Sequence, residues 1–351
     1  MNLDIYKNKK VLVTGSTGFK GSWLSFWLYK LGAKVIGLGL KPEKGSFIFK
    51  SLSLNKYITQ YYINIVDRKK VNDLIKKEKP DIIFHLAAQS IVSKSVIDPL
   101  ETFNTNVIGS ANILDSYKKN KINSLVFCTS DKCYENNEWT WGYREIDRLG
   151  GKDPYSASKA SAEILFRSFC KTYFEHNKVN KLGSVRAGNV IGGGDFKNNR
   201  IIPDIIKSII NNKNLILRNP QSTRPWQHVL DPIHGYLTLG EKILNNKIKV
   251  DIPSWNFGPN IEESYNVKFI ASNLIKLWGS KTKIITHKNS LNESGLLLLN
   301  NEKAKLELGW KPKLSINNTI KFTYEWYFNF FKKNKNTVKF TEMQIDKFLS
   351  I

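Results

Sequence analysis

Cysteine is scarce in this chain. Three residues in 351, an odd number, make no disulfide framework, and Cys128, Cys133 and Cys170 show no paired metal-ligand spacing. Reduced thiols in a cytoplasmic protein without a bound metal are the expectation. Runs of 18 apolar residues are lacking, as are a secretory or transit segment and an internal repeat, so the chain is expected to be soluble. Arginine is rare too: of 54 basic residues 46 are Lys and 8 are Arg. Lysine is therefore the default cation, and each Arg is notable.

Positive charge is plentiful, with a formal net charge of +24 and a pI near 9.7. The lysines are scattered, however, and runs such as Lys76-Lys77-Glu78-Lys79 and Lys118-Lys119-Asn120-Lys121 fall where helices are expected to end and cations suit the helix dipole. No compact nucleic-acid module with interleaved aromatics is present. Neither nucleic acid nor a membrane is expected as a partner; a diffuse positive field would gather a small anionic substrate.

Apolar runs set the fold. Residues 10–14 read as a buried strand that enters Gly15-Ser16-Thr17-Gly18-Phe19-Lys20-Gly21 and then an apolar helix over Trp23–Leu31. Glycines in such a turn allow close backbone approach to a pyrophosphate at a helix N-terminus. Further strands are predicted at Lys34–Leu38, Tyr61–Ile65, Asp81–Leu86, Ser124–Thr129 and Leu182–Ala187, alternating with helices at Lys69–Lys79, Pro99–Lys119 and Ser156–Asn177. This order predicts an α/β fold with a Rossmann-like, doubly wound parallel sheet whose ligand lies off the strand carboxyl ends. Four motifs would meet there: the glycine turn, His85-Leu86-Ala87-Ala88-Gln89, Thr129-Ser130-Asp131-Lys132 and Arg186-Ala187-Gly188-Asn189. After Ala187 a smaller, sequence-interleaved lobe is expected. It takes residues 188–225 and 259–330, with a helix at Ile205–Asn211, while a helix over Trp226–Ile243 and a last strand at Trp255–Gly258 return to the nucleotide domain of 1–187. Residues 331–351 form a basic tail of unreadable role, with Thr341 and Gln344 in capping-box spacing.

Tyr155 and Lys159, four apart on a predicted helix, share one face. An ammonium there would lower the phenol's pKa and make Tyr155 a base near neutrality. Asp131 supplies an acid if burial raises its pKa.

The stretches GSTGFKGSWL, SDKCYENNEWTWGYRE, GGKDPYSASKASAE, RAGNVIGGGDF and RPWQHVLDPIHGYL together resemble the NAD-dependent nucleotide-sugar 4,6-dehydratases of the extended short-chain dehydrogenase/reductase superfamily, from about Lys9 to about Pro312. Lys132, where relatives acting on dTDP- and GDP-sugars usually carry Glu, and the Trp139/Trp141 segment after it are more typical of the branch that acts on CDP-glucose. The resemblance implies oxidation at C4, loss of water across C5 and C6, and return of the hydrogen to C6. In that scheme Tyr155 takes the hydroxyl proton, Ser130 hydrogen-bonds the C4 oxygen, Asp131 protonates the leaving hydroxyl and Lys159 also orients the nicotinamide ribose. Lys132 would be the C5 base, provided desolvation makes it neutral, or else an electrostatic stabiliser of the enolate. A 4-epimerase of the same fold is the rival, but it has no need of Asp131.

The resemblance further implies NAD contacts from Gly15, Thr17, Gly18, Phe19, Lys20, Gly21, Asn64, Ile65, Leu86, Ala87, Ala88, Gln89, Asn106 and Thr129, together with Tyr155 and Lys159. Ser90, Asn189, Arg200, Arg224 and His228 are the candidates for the sugar nucleotide. Arg200 and Arg224 are read as facing the diphosphate, because a guanidinium forks onto phosphate oxygens as a point charge does not; Arg186 and Arg218 are read as structural. His228 either approaches the substrate or braces a loop, and Trp139 and Trp141 either form a lid or pack on the body. His85 is read as a packed histidine. No acid ends the second strand, where Leu38-Gly39-Leu40-Lys41-Pro42 leaves the choice between NAD and NADP unread. Helices Pro99–Lys119 and Ser156–Asn177 carry apolar residues on more than one side, which in that superfamily implies a homodimer or homotetramer.

Overall fold

The structure, a computed structural model, describes residues 3–42, 47–174, 181–286, 295–333 and 336–351. Seven parallel strands form the central sheet: β1 (Lys10–Thr14), β2 (Lys34–Gly39), β3 (Thr59–Tyr62), β4 (Ile82–His85), β5 (Ser124–Cys128), β6 (Leu182–Ala187) and β7 (Ser254–Phe257). Their order is β7-β6-β5-β4-β1-β2-β3, with the direction of winding reversed between β1 and β4. Helices α1 (Phe19–Lys30), α2 (Arg68–Glu78), α3 (Gly109–Lys119) and α4 (Pro154–Phe169) belong to the winding; α5 (Ile201–Ile210) follows β6, and α6 (Leu230–Leu244) precedes β7. One sheet face packs on α2, α3 and α4 through Val71, Leu74, Ile113, Leu114 and Phe166. The other packs on α1 and α6 through Trp23, Trp27, Leu230, Ile233 and Leu237. With both faces covered, strands such as Ser124–Cys128 are buried at every position, which is why they read as unbroken apolar runs. Among the described residues no helix is long and apolar enough to cross a membrane.

Several boundaries differ from the sequence reading: α1 starts at Phe19 rather than Trp23 and α5 at Ile201 rather than Ile205, and three further elements depart from it. The strand expected at Tyr61–Ile65 lies at Thr59–Tyr62, in register with Ile36–Gly39. An edge strand of sequence TQYY carries little apolar signal; Ile65, which drew the reading, is instead buried against Gly109 of α3. The helix expected over Pro99–Lys119 is interrupted by a π-turn at Asn104–Ile108, which buries the Asn106 side chain. Helix α6 starts at Leu230 rather than Trp226, because Gln227–His228 pairs with Val190–Ile191. The end of the helix expected to reach Asn177 lies outside the described residues.

The smaller lobe adds α5, α7 (Val267–Trp278) and α8 (Ile316–Phe328), with Leu215–Leu217 paired to Ile284–Thr286 and Thr223–Arg224 to Tyr265–Asn266. The chain ends in α9 (Thr337–Leu349). Asn336 caps this helix by accepting from the Lys339 amide at 3.2 Å, so the capping box expected at Thr341 and Gln344 does not form. Those two side chains serve docking instead. Thr341 Oγ1 accepts from Trp326 Nε1 at 3.0 Å, and Gln344 Nε2 donates to the Phe322 carbonyl at 2.8 Å. Phe348 lies edge-on to Trp27 and His234, at 5.8 and 5.6 Å between ring centres.

Because Phe348 is fully buried, Phe348→Ala is expected to lower the unfolding free energy by about 3–5 kcal/mol in urea denaturation. A loss below about 1 kcal/mol would show that α9 is not part of the cooperative core.

Candidate active site

The glycine turn after β1 is shaped by close approach. Gly15 has φ +72°, and a Cβ there would meet the Ala87 amide nitrogen at 2.8 Å; at Gly21 it would fall 2.0 Å from the Gly15 carbonyl oxygen. Gly18 occupies the N-cap of α1 and offers no capping side chain. The first turn of α1 contains no acid, so its amides are directed at an open cradle that suits a pyrophosphate. His85, at the end of β4, braces this edge: its Nδ1 meets Thr14 Oγ1 at 2.7 Å and its Nε2 meets Ser110 Oγ at 3.0 Å. Burial, followed by the charge of Lys159, holds its pKa down at about 3, which makes it the neutral, packed histidine that was expected.

Helix α4 begins where sequence chemistry dictates. Asp153 caps it, accepting from the Ser156 amide at 3.0 Å, and Pro154 takes the first helical position. Tyr155, Lys159 and Glu163 then follow at intervals of four, as one buried stripe. Opposite lies the end of β5. Ser130 Oγ donates to Asp131 Oδ1 at 2.8 Å and is within hydrogen-bonding reach of Tyr155. Asp131 Oδ2 is buried without a partner, on the side of Gly188. Burial raises the Asp131 pKa, against the charges of Lys132 and Arg224 and the hydrogen bond from Ser130. A carboxyl in that state retains its proton readily and has one oxygen free to deliver it.

Glu163 fastens these two parts together. Its Oε1 accepts from Thr129 Oγ1, while Oε2 accepts from Ser184 Oγ at 3.1 Å and pairs with Arg186 Nη2 at 2.7 Å. Arg186 continues to Tyr134 Oη at 2.7 Å. Burial alone would raise the Glu163 pKa, but the Arg186 guanidinium overrides it and holds the carboxylate below its usual value. A second clasp runs through Asn106. It accepts from the Gln89 amide at 2.8 Å and donates to the Gln89 carbonyl and to Ser158 Oγ on α4.

Residues 12–323 match the family model for GDP-mannose 4,6 dehydratase. This chain belongs to that family. A relative from Salmonella typhimurium, CDP-glucose 4,6-dehydratase, is 41% identical over 330 residues, 92% of each chain. Among solved structures, UDP-glucose 4-epimerase of Thermotoga maritima superposes with a TM-score of 0.80 at 22% identity, over 92% of this chain and 100% of that one. The dTDP-glucose 4,6-dehydratase of Bacillus anthracis, in complex with NAD, gives 0.77 at 24% identity, over 95% and 99%. At these identities the two structures speak for the shared fold.

In this member of the GDP-mannose 4,6 dehydratase family the sequence candidates fall into two groups. Ser130, Asp131 and Tyr155 converge, with Lys159 one turn further along α4 and Gly15 against Ala87 after β4, and the charges of Arg200 and Arg224 act on Tyr155 and Asp131 respectively. Arg200 Nη2 also donates to Ser90 Oγ at 3.0 Å, with its Nη1 on Asp195 at 2.8 Å. Others brace. Gln89 spends its amide on Ile91 and Thr102, Asn106 spends all its polar hydrogens on the protein, and Thr129 is held by Glu163. Thr17 Oγ1 donates to the Leu40 carbonyl, and Asn64 Oδ1 accepts from the Val66 amide at an exposed loop. Asn189 pairs through its carbonyl with the Gln227 amide.

Three expectations are corrected. Tyr155 is not a lowered phenol in the protein alone: burial and then Asp131 outweigh Ser130 and Arg200, and its pKa is pushed up to about 12. His228 does not reach the substrate side; it is fully buried between Trp23 and Phe322, with its pKa lowered to about 3 by burial. Lys132 is half-buried, lining a narrow cleft with Lys152, Asp153 and Ser156, whereas Lys159 is the lysine that the fold encloses. Trp139 lies tilted against Tyr143, 5.1 Å between ring centres, so it packs on the insertion, and Trp141 is exposed. Glu163 escaped the sequence reading; its signal was the continued spacing of four beyond Lys159.

Glu163→Gln leaves Arg186 buried without its counter-charge and is expected to cost about 3–5 kcal/mol of stability at neutral pH, measured by denaturation. The folded carboxyl is depressed, so its contribution is complete above the unfolded pKa near about 4.3 and is lost as pH falls through the folded value. Wild type and variant should therefore converge in stability in acid; a gap that persists unchanged would refute the pairing.

Proposed function

We propose that this protein is an NAD-dependent CDP-glucose 4,6-dehydratase, converting CDP-glucose to CDP-4-keto-6-deoxyglucose. One observation carries the reading: the buried carboxyl of Asp131, with one oxygen on Ser130 and the other unpartnered, stands beside Tyr155. A 4-epimerase has no step that consumes such a proton. The 41% identity to the Salmonella typhimurium enzyme supports the choice of substrate.

We assign residues 1–187 and 226–258 to cofactor binding and 188–225 and 259–330 to the sugar nucleotide. The cradle formed by Gly15, Gly18 and Gly21 holds the pyrophosphate of NAD at the N-terminus of α1. Bound NAD would supply the hydride acceptor for sugar C4 and, once reduced, the hydride donor for C6. Tyr155 Oη takes the proton of the C4 hydroxyl, with Ser130 Oγ hydrogen-bonded to the same oxygen; the phenol, raised in the protein alone, would be brought down by the positive charge of the bound cofactor together with Lys159. Ketone formation acidifies C5. Lys132, half-buried at this edge, stabilises the enolate electrostatically as water takes that proton, and Asp131 Oδ2 protonates the C6 hydroxyl as it departs, so that water leaves and the acid becomes a carboxylate. The proton taken from C5 then returns there as C6 is reduced. Arg200 and Arg224 are assigned to the diphosphate; Arg200, whose Nη atoms rest on Asp195 and Ser90, would exchange one of these contacts for a phosphate oxygen.

The product, a nucleotide-linked 4-keto sugar, is a precursor for deoxysugars of surface polysaccharides such as lipopolysaccharide or capsule. Three free cysteines fit a reducing cytoplasm. Ile97 and Leu100, at 84% and 81% exposure, and a groove lined by Leu100, Phe103, Val107 and Ile108 support association into a homodimer or homotetramer.

The purified protein should produce the alkali-induced absorbance of a 4-keto sugar from CDP-glucose and far less from dTDP-, GDP- or UDP-glucose. Interconversion at C4 without that absorbance would replace the proposal by epimerisation. Asp131→Asn is expected to slow dehydration by about 10²- to 10⁴-fold. C4 oxidation should persist, seen as accumulating absorbance of reduced cofactor; equal loss of both steps would remove the acid role from Asp131.

A further inference from the structure

Tyr134 follows Ser130, Asp131 and Lys132 in the chain, and the reaction scheme leaves it without a role. Ser130 caps a single 3₁₀ turn, Asp131–Cys133, whose own hydrogen bonds are long: the Ser130 carbonyl accepts from the Cys133 amide at 3.2 Å and the Asp131 carbonyl from the Tyr134 amide at 3.3 Å. So short a turn, with such bonds, does not hold its own shape. It is held from both ends instead. At the near end Thr129 Oγ1 donates to Glu163. At the far end the buried Tyr134 hydroxyl accepts from Arg186 Nη1 at 2.7 Å and donates to Asn256 Oδ1 at 2.7 Å. The two halves of one ion pair, Glu163 and Arg186, therefore grip the two sides of the same turn.

The direction of each bond in this network is forced. A guanidinium accepts nothing, so the phenol must turn its hydrogen to Asn256, and Asn256 must present its oxygen to Tyr134 and its amide hydrogens elsewhere. They go to the carbonyls of Tyr143 at 2.8 Å and Asn300 at 3.0 Å, while the Asn256 backbone amide donates to Glu145 Oε1 at 2.8 Å. Arg186 and Asn256 are wholly buried and lie opposite each other where β6 pairs with β7, so Tyr134 is fastened to the sheet rather than to the insertion that it opens. The clasp acts unequally on the reacting residues. Ser130 adjoins Thr129, and its neighbour Tyr155 sits on α4 with Glu163, whereas Asp131 and Lys132 lie between Ser130 and Tyr134. We propose, in an inference that rests on the dehydratase reading above, that Tyr134 is a positioning residue for the elimination of water: its hydroxyl, held between Arg186 and Asn256, fixes the turn that aims Asp131 Oδ2 at the C6 hydroxyl and sets Lys132 beside C5. Both of its hydroxyl contacts are spent on protein, so it acts on the reaction only through that turn.

Tyr134→Phe removes both hydroxyl contacts and keeps the ring, which stacks on Tyr143 at 5.1 Å between centres. The NAD-loaded protein is mixed rapidly with CDP-glucose, and the absorbance of reduced cofactor and the alkali-induced absorbance of the product are followed together. In Tyr134→Phe reduced cofactor should appear at the wild-type rate and accumulate, while product forms about 10- to 100-fold more slowly, as expected when a reacting group is displaced by about an ångström. Equal slowing of oxidation and elimination, as from a loosened fold, slowing of oxidation chiefly, or no slowing at all overturns the proposal. Should Tyr134→Phe fail to fold, Asn256→Ser takes the acceptor from the same hydroxyl while Arg186 keeps its hold, and it is judged by the same two rates. Wild type that never yields the 4-keto product from CDP-glucose would overturn the dehydratase reading instead, a failure seen before any variant is made.

Discussion

The ion pair between Glu163 and Arg186 is wholly enclosed, and it ties the helix of the reacting centre to the strands behind it. Glu163 belongs to α4, Arg186 to β6, and the Thr129 hydroxyl that Glu163 also accepts belongs to the end of β5. One carboxylate therefore fixes the helix that carries Tyr155 and Lys159 against the strand end that carries Ser130 and Asp131. Buried pairs of this kind give little net stability over a well-packed apolar substitute, because removing both charges from water costs about as much as their attraction returns. What they do well is select one geometry. A helix that slid by a turn would strand a charge in the interior, so the distance between phenol, hydroxyl and acid is held to a single value.

Around this anchor the site is organised by an imbalance of charge. Lys132 and Arg224 act on the buried Asp131 carboxyl, whose pKa is raised by burial, while Arg200 acts on Tyr155 and Lys159 lies one turn further along α4. In a chain with 46 lysines and 8 arginines, two arginines directed at one enclosure mark a place where fork geometry matters more than charge alone. The surplus of positive charge suits a substrate that brings a diphosphate and a reaction that passes through an enolate. It also explains why the Tyr155 phenol stays high in the protein alone: it is desolvated, and the nearest acid opposes its ionisation.

The small lobe and the terminal helix show how widely the core is shared. A single apolar cluster runs from Tyr6 and Val11 of the sheet through Trp226 and Trp310 to Ile345 and Phe348. Trp326, buried on α8, receives Gly193 against its ring on one side and Thr341 of α9 on the other. The loop after β6 thus leans on the same tryptophan that docks the chain terminus, and the position of Asn189 and Arg200 is coupled to packing far along the chain.

Local rules made much of this legible. Strand, glycine turn and helix over residues 10–31, the alternation that follows, and the spacing of four between Tyr155 and Lys159 depend on neighbours in the chain, so the sequence by itself determined the sheet, its ligand edge and the convergence of Ser130, Asp131 and Tyr155 there. Edge strand β3 and the start of α6 were misread because pairing partners, Ile36–Gly39 and Val190–Ile191, override weak local signals. Only the tertiary structure decided which groups are desolvated and by whom they are answered: that Glu163 meets Arg186, that His228 is sealed between Trp23 and Phe322, and that Phe348 closes on Trp27. Burial and Coulomb interaction act through space between residues far apart in the chain, and spacing along a sequence does not carry that information.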